Sequence, residues 1–441
     1  DDDINKRNKI LEGVTIKLRN DLRLILKTNN IKKIFIAIPS LSDLQRKNIL
    51  IFLKEFNVEV NILPSLDYLK PFNLDISDFK NAEFNYILNR KNYDLHNLNK
   101  NYFTNKTVLI SGGGGSIGGE ITRQLTQIPN LKIIVLDHSE INLYNIKEEI
   151  TYFEYFKTSL SIKFILGSIL DQELLNNLFK NYKIDFVFHS AAYKHVEMSE
   201  INIFQTINNN FIGTYNLCKV SLNYKVKKFL LISTDKAVNP TNIMGASKRL
   251  SEKCLSYYSK INKTIFASVR FGNVIGSSGS AVPIFLDQIK KRKPIYVRGI
   301  NTTRYFMTIA EAVSLVFKSI EISRGGETFI LNMGKKIRIY DLARKIINLN
   351  GLKEKSNTNP SGDIEIKIVD LKNGEKEYEE LTLGNLTDIP NELNIKKDDF
   401  VNPNFELEKK VVDYKNVIKE YNKSKLYSLI EKDVEDFKVA K

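Results

Sequence analysis

Residues 107–118 read TVLISGGGGSIG, a short apolar run that ends in four consecutive glycines. The pattern predicts a buried strand, a tight turn and then a helix over residues 120–127. Gly112, Gly115 and Gly118 form a GxxGxxG spacing. Gly112 permits the tight turn, Gly115 lets the backbone approach a pyrophosphate, and Gly118 lets the helix pack close to the strand. The stretch therefore predicts a dinucleotide site at the start of a helix.

An acidic residue, Asp137, ends the next apolar run, about 20 residues after the glycines. A carboxylate at this place can bind the diol of a ribose, and it repels a 2′-phosphate. No Arg follows Asp137 closely, so NAD is favoured over NADP as the cofactor. Capping of the following helix is the alternative role for Asp137.

Short apolar runs alternate with helical patterns along the middle of the chain. Such runs predict parallel strands covered by helices on both faces. We therefore expect an α/β, Rossmann-like, doubly wound parallel sheet. Beyond residue 272 the pattern is irregular, with predicted helices over 308–319 and 339–348. The predicted strands are 107–110, 132–136, 162–166, 184–188, 228–232 and 265–269.

Residues 1–80 predict a separate, small α/β lobe. A buried strand over 32–38, a helix over 42–56 and a second strand over 58–63 form a β-α-β pattern. No glycine-rich turn follows the first strand, so this unit lacks the phosphate-binding feature of the later one. The polar, Asn-rich residues 73–105 are typical of a linker, with a short helix near residues 84–88.

Composition excludes several classes of protein. The 441 residues are 42% hydrophobic and 27% charged, as in a globular chain of two or three domains. The only cysteines, Cys218 and Cys254, cannot form a disulfide framework or a cysteine-based zinc site, and four histidines do not favour a His-rich one. We predict no metal site. The net charge of +15 comes from dispersed lysines, which favours an anionic small substrate over nucleic acid.

No apolar run approaches the roughly 18–20 residues of a transmembrane helix. The chain begins at Asp1 without an initiator Met. We therefore expect a processed or truncated chain from which a membrane anchor was removed.

A second polar stretch follows the predicted strand 228–232. It reads STDK over 233–236, and Met244 and Lys248 come shortly after it. Because Met244 and Lys248 are four residues apart, they share one helix face. Parallel strands present their ligand-binding groups at their carboxyl ends, so these side chains are expected beside the dinucleotide. A plain capping turn made by Thr234 or Asp235 is the alternative.

On these residues the chain resembles the extended short-chain dehydrogenase/reductase superfamily, and most of all the long, membrane-anchored form of the UDP-N-acetylglucosamine 4,6-dehydratases. The similarity covers about residues 80–385, and residues 1–80 are similar to the accessory lobe of the long form. Besides STDK over 233–236 and MGASK over 244–248, the matching motifs are DHSE over 137–140, AAYKHV over 191–196, NN over 209–210, GT over 213–214, RFGNV over 270–274, GSSGS over 276–280, RYFM over 304–307 and GEK over 374–376.

The resemblance implies a lyase reaction in three steps. Hydride leaves sugar C4 for NAD, the resulting ketone acidifies the C5 hydrogen so that water is lost across C5 and C6, and hydride returns to C6. Net redox is zero, so NAD should stay tightly bound. Such a site needs an acid and a base beside the nicotinamide.

Within that resemblance, Asp235 is the expected general acid at the C6 hydroxyl and Lys236 the expected base at C5. Thr234 would hydrogen-bond the C4 oxygen, and Lys248 the nicotinamide ribose. Met244 stands where the superfamily has a catalytic Tyr, as in the long form, and it cannot take a proton. For Lys236 to act as a base, its pKa must fall through burial or neighbouring cations. Two acceptors for the C4 proton stay open: Asp235 through water, and Lys236.

The remaining expected contacts divide between cofactor and substrate. For Arg270, pairing with a structural carboxylate is the alternative to a grip on the diphosphate, and for His195 a structural role is the alternative. The cofactor site is expected to include Gly112, Gly115, Ser116, Ile117, Gly118, Asp137, Ser139, Ser168, Ile169, Ala191, Ala192 and Lys248. The substrate site is expected to include Lys194, His195, Asn209, Arg270, Asn273, Ser280, Arg304 and Glu375.

The resemblance also divides the chain into five segments. These are an N-terminal accessory lobe over 1–80, a linker over 81–105, an NAD-binding domain over 106–272, a nucleotide-sugar-binding region over 273–385 and a C-terminal helical extension over 386–441.

The implied substrate is UDP-N-acetylglucosamine, for bacterial glycan or glycoprotein sugars. The implied state is a homo-oligomer at the cytoplasmic face of the inner membrane, held there only by a segment absent from this chain, with no nucleic-acid partner. Two other functions stay open. One is a UDP-sugar 4-epimerase, which would need the catalytic Tyr, and the other is a non-catalytic NAD- or nucleotide-binding protein.

Overall fold

The strands of the computed structural model follow the predicted apolar runs closely from residue 107 to residue 270. In chain order they are β1 Ile10–Leu11, β2 Val14–Thr15, β3 Lys33–Ile36, β4 Glu59–Ile62, β5 Thr107–Ser111, β6 Lys132–Asp137, β7 Ser161–Leu166, β8 Phe186–His189, β9 Lys228–Ile232, β10 Ile265–Arg270, β11 Asn273–Ile275, β12 Ile295–Arg298, β13 Thr303–Arg304, β14 Phe306–Thr308, β15 Thr328–Leu331, β16 Ile337–Arg338, β17 Glu354–Lys355, β18 Ile364–Val369, β19 Leu386–Ile389 and β20 Glu392–Asp398.

The helices include a π-helical turn, Asn208–Ile212, and a 3₁₀ turn, Asp235–Ala237. In chain order the α-helices are α1 Leu22–Thr28, α2 Lys100–Phe103, α3 Ser116–Leu125, α4 Glu140–Glu154, α5 Gln172–Asn181, α6 Val196–Ile201, α7 Ile203–Ile207, α8 Gly213–Asn223, α9 Ile243–Ser259, α10 Ala281–Lys290, α11 Ile309–Ile322, α12 Ile339–Leu349, α13 Leu407–Glu420 and α14 Lys423–Asp433.

The chain forms two units. One contains Asp1–Lys91, Ile284–Val297 and Tyr340–Val369, and the other contains Asn92–Pro283, Arg298–Ile339 and Asp370–Lys441. The structure describes residues 6–11, 14–18, 21–28, 31, 33–36, 38, 49, 52–53, 56, 58–62, 99–154, 161–261, 263–277, 279–350, 352–400, 405–434 and 437–438.

The second unit is built on one large sheet, in which the described residues supply nine strands in the order β19-β20-β15-β10-β9-β8-β5-β6-β7. The seven strands from β15 to β7 are parallel. The chain moves outward from β5 to β7, returns to β8 beside β5, and then continues to the other side. The expected Rossmann-like, doubly wound α/β fold is therefore confirmed, with its change of direction between β5 and β8.

Both faces of this sheet are buried. In β5, Val108 and Ile110 pack in one apolar cluster with side chains of α3 and α11, whereas Leu109 packs in another with side chains of α8 and α9. Successive residues of a strand point to opposite faces, and all three side chains have no exposed surface. This two-sided burial explains why the predicted strands are continuous apolar runs without alternation.

The first unit contains the predicted β-α-β segment in part. Strands β3 and β4 pair in parallel, and Leu26, Ile36, Leu53 and Val58 are buried together. The predicted helix over 42–56 lies mostly outside the described residues, although residues 49, 52 and 53 are helical. The predicted short helix near residues 84–88 lies wholly outside them. Strands β12, β18 and β17 form a three-stranded sheet.

The C-terminal segment differs from the helical extension predicted over 386–441. Its first part forms β19 and β20, which continue the main sheet in antiparallel fashion from β15. Only then do α13 and α14 follow, and their apolar faces join the core. The strand signal of β20 was weak because its sequence, ELNIKKD, buries only Ile395 and Asp398 and exposes charged neighbours.

Arg270 lies inside the protein and not at the expected diphosphate. It is 1% exposed at the end of β10. Its guanidinium donates two hydrogen bonds to Glu252, at 2.7 and 2.6 Å, and one to Asp398, at 2.7 Å. The alternative of a structural pair is therefore the correct one: Arg270 joins β10, α9 and β20, and the predicted substrate role is wrong. From sequence alone, an Arg that pairs with a carboxylate of the protein cannot be told from an Arg that binds an anionic ligand.

We expect Arg270→Met to lower the free energy of unfolding by about 3–5 kcal/mol, because it removes the buried cation that Asp398 and Glu252 share and leaves Glu252 with Arg249. Arg123→Met is the control. Arg123 pairs with Glu149, but 41% of its side chain is exposed, and losing such a pair costs about 0–1 kcal/mol. Urea unfolding measures both variants. Equal losses would contradict the structural role of Arg270.

Candidate active site

The glycine turn and the loop after β8 meet at the carboxyl edge of the sheet. Gly112 has φ +68°, which a glycine adopts without strain. A Cβ at Gly112 would lie 2.6 Å from the backbone nitrogen of Ala191, and a Cβ at Gly118 would lie 2.1 Å from the carbonyl oxygen of Gly112. Helix α3 therefore packs directly on the turn, and its N-terminus lies where the two neighbouring parallel strands end.

Gly115, by contrast, is open on its outer side. A Cβ there would meet only the carbonyl oxygen of Gly112, at 3.3 Å. Ser116 and Ile117 follow as the first residues of α3. The N-terminus of a helix, with its N–H groups and the positive end of its dipole, favours an anion.

The Asp137 carboxylate holds two neighbouring turns together. It accepts hydrogen bonds from the N–H of Gly114, at 2.9 Å, and of Ser139, at 2.8 Å. It is 5% exposed at the end of β6. Ser139, and not Asp137, accepts from the N–H of Asn142 in the first turn of α4, at 3.4 Å. Asp137 therefore supports the glycine turn directly, and helix capping falls to Ser139.

The remaining predicted cofactor residues lie along the same edge. Ser168 and Ile169 follow β7, where the Ser168 hydroxyl accepts from Leu170 and Ile169 packs close to Gly213. Ala191 and Ala192 follow β8. The carboxyl ends of β5, β6, β7 and β8 thus bring together residues that are distant in sequence.

The Thr234-Asp235-Lys236 stretch begins immediately after β9. Thr234 caps the 3₁₀ turn weakly, accepting from the N–H of Lys236 at 3.4 Å, and donates its hydroxyl to Asp235 Oδ1 at 2.9 Å. Lys236 Nζ donates to the same Oδ1 at 3.0 Å. The capping alternative is thus true of Thr234, whereas the buried Asp235 forms an ion pair with the partly buried Lys236.

Helix α9 packs tightly against this turn. A Cβ at Gly245 would lie 2.1 Å from the carbonyl oxygen of Lys236, so only glycine allows the approach. Asn242 caps the helix by accepting from the N–H of Gly245 at 2.8 Å. Met244 and Lys248 lie on this helix, 3% and 4% exposed. The close approach brings the MxxxK helix to the Asp235–Lys236 pair.

Taken together, the charged groups around Lys236 do not lower its pKa, as a role as base would require. Its Nζ lies 3.0 Å from Asp235 and 3.3 Å from Glu379. Burial lowers its pKa, but these two carboxylates outweigh burial, so the pKa of Lys236 is raised. The expected fall in that pKa is therefore wrong for this state. Burial raises the pKa of Asp235, against the opposing effect of Lys236.

The pKa of Lys248 is lowered, unlike that of Lys236. Burial lowers it to about 8, opposed by Glu252. The imidazole of His189 is buried beside it, between the hydroxyls of Ser111, at 2.7 Å, and Thr214, at 2.9 Å. Burial and the charge of Lys248 lower the pKa of His189 well below its ordinary value, so His189 is a neutral structural residue.

The loop that carries Lys194 and His195 is tied to the catalytic helix by Asn210. The Asn210 amide accepts from the N–H of Tyr193, donates to the Tyr193 carbonyl and donates to Ser247 of α9, at 2.8–2.9 Å. Asn209, the predicted substrate residue, donates to Asn210 at 3.0 Å and is 6% exposed. Lys194 and His195 themselves are exposed.

The other predicted substrate residues divide into two groups. Arg304 belongs to the charge cluster: it donates to the carbonyls of Thr303 and Glu377 and lies 3.8 Å from Glu379. Glu375 pairs with Arg298 at 2.6 Å, and both side chains are partly exposed. Asn273 begins β11, and the Ser280 hydroxyl is buried without a hydrogen-bond partner.

Three residues that contact the site were assigned no role from the sequence: Glu379, Glu252 and Asn210. Glu379 lies only four residues after Glu375, in the run EKEYEE. Nothing in that run distinguishes one Glu from the next, so only burial identifies it.

Among the described residues, no helix is long and apolar enough to cross a membrane. The same residues contain no cluster of three or more His, Cys, Asp or Glu side chains arranged to hold a metal.

Known proteins share both the sequence and the fold. The capsular polysaccharide biosynthesis protein CapD of Staphylococcus aureus is 37% identical over 385 residues, which are 86% of this chain and 63% of CapD. A UDP-glucose 4-epimerase of Rickettsia bellii is 32% identical over 283 residues, which are 63% of this chain and 77% of the epimerase. The X-ray structure of Pen from Bacillus thuringiensis, 35% identical, matches with a TM-score of 0.60 over 67% of this chain and 90% of Pen.

This chain thus spans less than two thirds of the length of CapD. The family model described as polysaccharide biosynthesis protein matches residues 108–395. That match runs without a break from the glycine turn through Asp235 and Lys236 to Glu379. The resemblance drawn from the motifs is confirmed, and the chain belongs to the polysaccharide biosynthesis protein family.

Proposed function

We propose that this chain is an NAD-dependent nucleotide-sugar 4,6-dehydratase that acts on UDP-N-acetylglucosamine. The observation that carries the proposal is the hydrogen-bonded pair of the buried Asp235 and the partly buried Lys236 at the carboxyl end of β9, with Lys248 on the adjoining helix. Loss of water from a sugar needs an acid and a base side by side, and this pair supplies both.

The residues present fit NAD. The turn at Gly112–Gly118 offers space for a pyrophosphate at a helix N-terminus, and Asp137 is held at the end of β6, where a ribose diol binds in this fold. When bound, NAD supplies the hydride acceptor for C4 and the hydride donor for C6. Lys248 would hold the nicotinamide ribose, and Ala191 and Ala192 would line the same edge.

The elimination uses the proton that Asp235 and Lys236 share. The N–H bond of the Lys236 ammonium breaks and an O–H bond forms on Asp235, which leaves a neutral amine beside a neutral acid. The amine then takes the proton from C5, and Asp235 gives its proton to the C6 hydroxyl as the C–O bond breaks and water leaves. Burial favours this exchange because it disfavours both charges. The proton of Asp235 is thus carried on Oδ1, the oxygen that Lys236 and Thr234 contact, whereas Oδ2 has no hydrogen-bond partner and lies close to Gly272.

The substrate would lie against polar groups around the pair of Asp235 and Lys236, some of them exposed and some buried. We assign to it Lys194, His195, Asn209, Asn273, Ser280 and Glu375, and we withdraw Arg270. Arg304 we assign to the charge cluster around Lys236. A homo-oligomer at the cytoplasmic face of the inner membrane, tethered by a segment outside this chain, stays part of the proposal.

The rival is a UDP-sugar 4-epimerase, which the relative from Rickettsia bellii favours. Epimerization reverses one hydride transfer and needs no elimination, so it has no use for a buried acid–base pair. Met244 stands where an epimerase would need a Tyr, and a thioether cannot move a proton. These two features favour the dehydratase.

Incubation with UDP-N-acetylglucosamine and no added reductant, followed by NMR in D₂O, tests the proposal. We expect a new C6 methyl group on a sugar with a C4 ketone or its hydrate, and the coupling at C5 separates retention from inversion. A C4 epimer would establish the rival. An unchanged sugar with NAD bound would contradict the proposed substrate and reaction.

Lys236→Met should lower turnover at least a hundredfold, because general acid–base groups contribute about 10²–10⁴-fold. NAD should remain bound, since Lys236 touches none of the predicted cofactor residues. Turnover and the cofactor content of the purified variant are the two measurements. Lys225→Met, at an exposed turn, is the control. Turnover of Lys236→Met within threefold of the wild type would rule out Lys236 as the base.

Met244→Leu should keep turnover within about fivefold, because Met244 acts through its volume and a Leu of similar size conserves the packing. Steady-state rates measure this. A variant Met244→Tyr that alone turned over would instead mean that the native chain is inactive.

Asp137→Asn should weaken NAD binding at least tenfold, because a hydrogen bond to a charged group contributes about 1.5–3 kcal/mol. Isothermal titration calorimetry measures it, with Asp287→Asn as the control at an exposed helix position. Unchanged affinity would place the ribose contact elsewhere.

A further inference from the structure

Glu379 is a buried carboxylate beside the acid–base pair. It is 2% exposed. Its Oε1 lies 3.3 Å from Lys236 Nζ and 3.8 Å from Arg304 Nε, and its Oε2 has no hydrogen-bond partner. Buried carboxylates are rare unless they are paired, so its contacts with the two cations account for its ionised state.

Glu379 belongs to a cluster of two negative and two positive groups, whose charges cancel: Asp235, Lys236, Arg304 and Glu379. The groups that face Lys236 are Asp235, Glu379 and Arg304. Lys376, the other cation near Glu379, donates to the Val238 carbonyl and to Glu380. The two carboxylates are not equivalent, because only Glu379 has a second cation at Arg304.

Their pKa values diverge accordingly. Burial raises the pKa of Glu379, but Lys236 and Arg304 outweigh it, so that pKa is lowered. The pKa of Asp235 is raised by burial. A proton that leaves Lys236 therefore goes to Asp235, and Glu379 keeps its negative charge through the reaction.

We propose that Glu379 is a positioning residue of the dehydration, which holds the Lys236 amine in place and stabilises the ammonium that forms when Lys236 takes the C5 proton. This inference rests on the proposed function. When the C5–H bond breaks, a new N–H bond forms on Lys236, while the proton of Asp235 leaves with the C6 oxygen as water. The new ammonium then lies between two carboxylates, as it does in the resting state, so the step ends in the arrangement that the folded site favours.

The first test measures the pKa of Lys236 directly and needs no substrate. About 18% of the Lys236 side chain is exposed, so a small acylating reagent can reach the amine, and mass spectrometry can follow its labelling against pH. Glu379→Gln keeps the shape and an oxygen acceptor but removes the charge. We expect the labelling midpoint of Lys236 to move to lower pH by about one unit or more, because an opposite charge within about 4–6 Å raises an ammonium pKa by that order.

Glu380→Gln is the matched control. Glu380 is the next residue along the chain, but its side chain is 54% exposed and pairs with Lys376 at the surface. It should leave the midpoint unchanged. Glu379→Asp keeps the negative charge but moves it away from Lys236, because the side chain is one methylene shorter. The labelling midpoint of Lys236 in this variant should therefore fall between those of the wild type and Glu379→Gln. This second variant serves if Glu379→Gln does not fold, and unchanged midpoints in the folded variants would overturn the inference.

The second test measures turnover. Glu379→Gln should lower kcat about tenfold or more and leave KM within about twofold, since Glu379 positions the Lys236 amine and is not among the residues assigned to the substrate. The pH profile of kcat should move to lower pH on both limbs, because Glu379 raises the pKa of both Asp235 and Lys236. A rise in KM with kcat unchanged would overturn the positioning role. If the wild type forms no dehydrated sugar, the proposed reaction fails, and the labelling midpoint still decides the link between Glu379 and Lys236.

Discussion

The parallel hydrogen bonding of β5, β8 and β9 is the constraint on which the rest of the site depends. Parallel strands need crossover helices, so their carboxyl ends all face one edge of the sheet. The glycine turn follows β5, the Ala191 loop follows β8, and Asp235 and Lys236 follow β9. Groups separated by more than a hundred residues meet there because the backbone pairing leaves them no other edge.

Two contacts then determine how closely these groups can meet. Gly118 lets α3 rest on the glycine turn, and Gly245 lets α9 rest on the Lys236 carbonyl. The second contact places the helix that carries Lys248 directly against the turn that carries Asp235 and Lys236. Behind the site, Ser233 donates to Glu252 at 2.6 Å, and Glu252 binds Arg270. The turn that carries Asp235 and Lys236 is thus attached to a buried ionic network.

Several features were predictable because they depend on local patterns. Apolar runs located the parallel strands within one or two residues, and the spacing of glycines located the turn. Charges were predicted less well. Arg270 and Arg304 look alike in sequence, yet one pairs with Glu252 inside the protein and the other lies beside Glu379. The raised pKa of Lys236 is due to Asp235 beside it and also to Glu379, which lies 143 residues away along the chain.

The amino-acid sequence by itself determined the doubly wound fold, the dinucleotide turn and the identity of the Asp235–Lys236 pair, since each follows from residues that are close in sequence. Only the tertiary structure decided which carboxylates share each buried cation. Electrostatic interactions depend on distance and burial and not on sequence separation. For that reason Glu379, in an acidic run without a distinguishing pattern, acquires a role only when the fold brings it within 3.3 Å of Lys236.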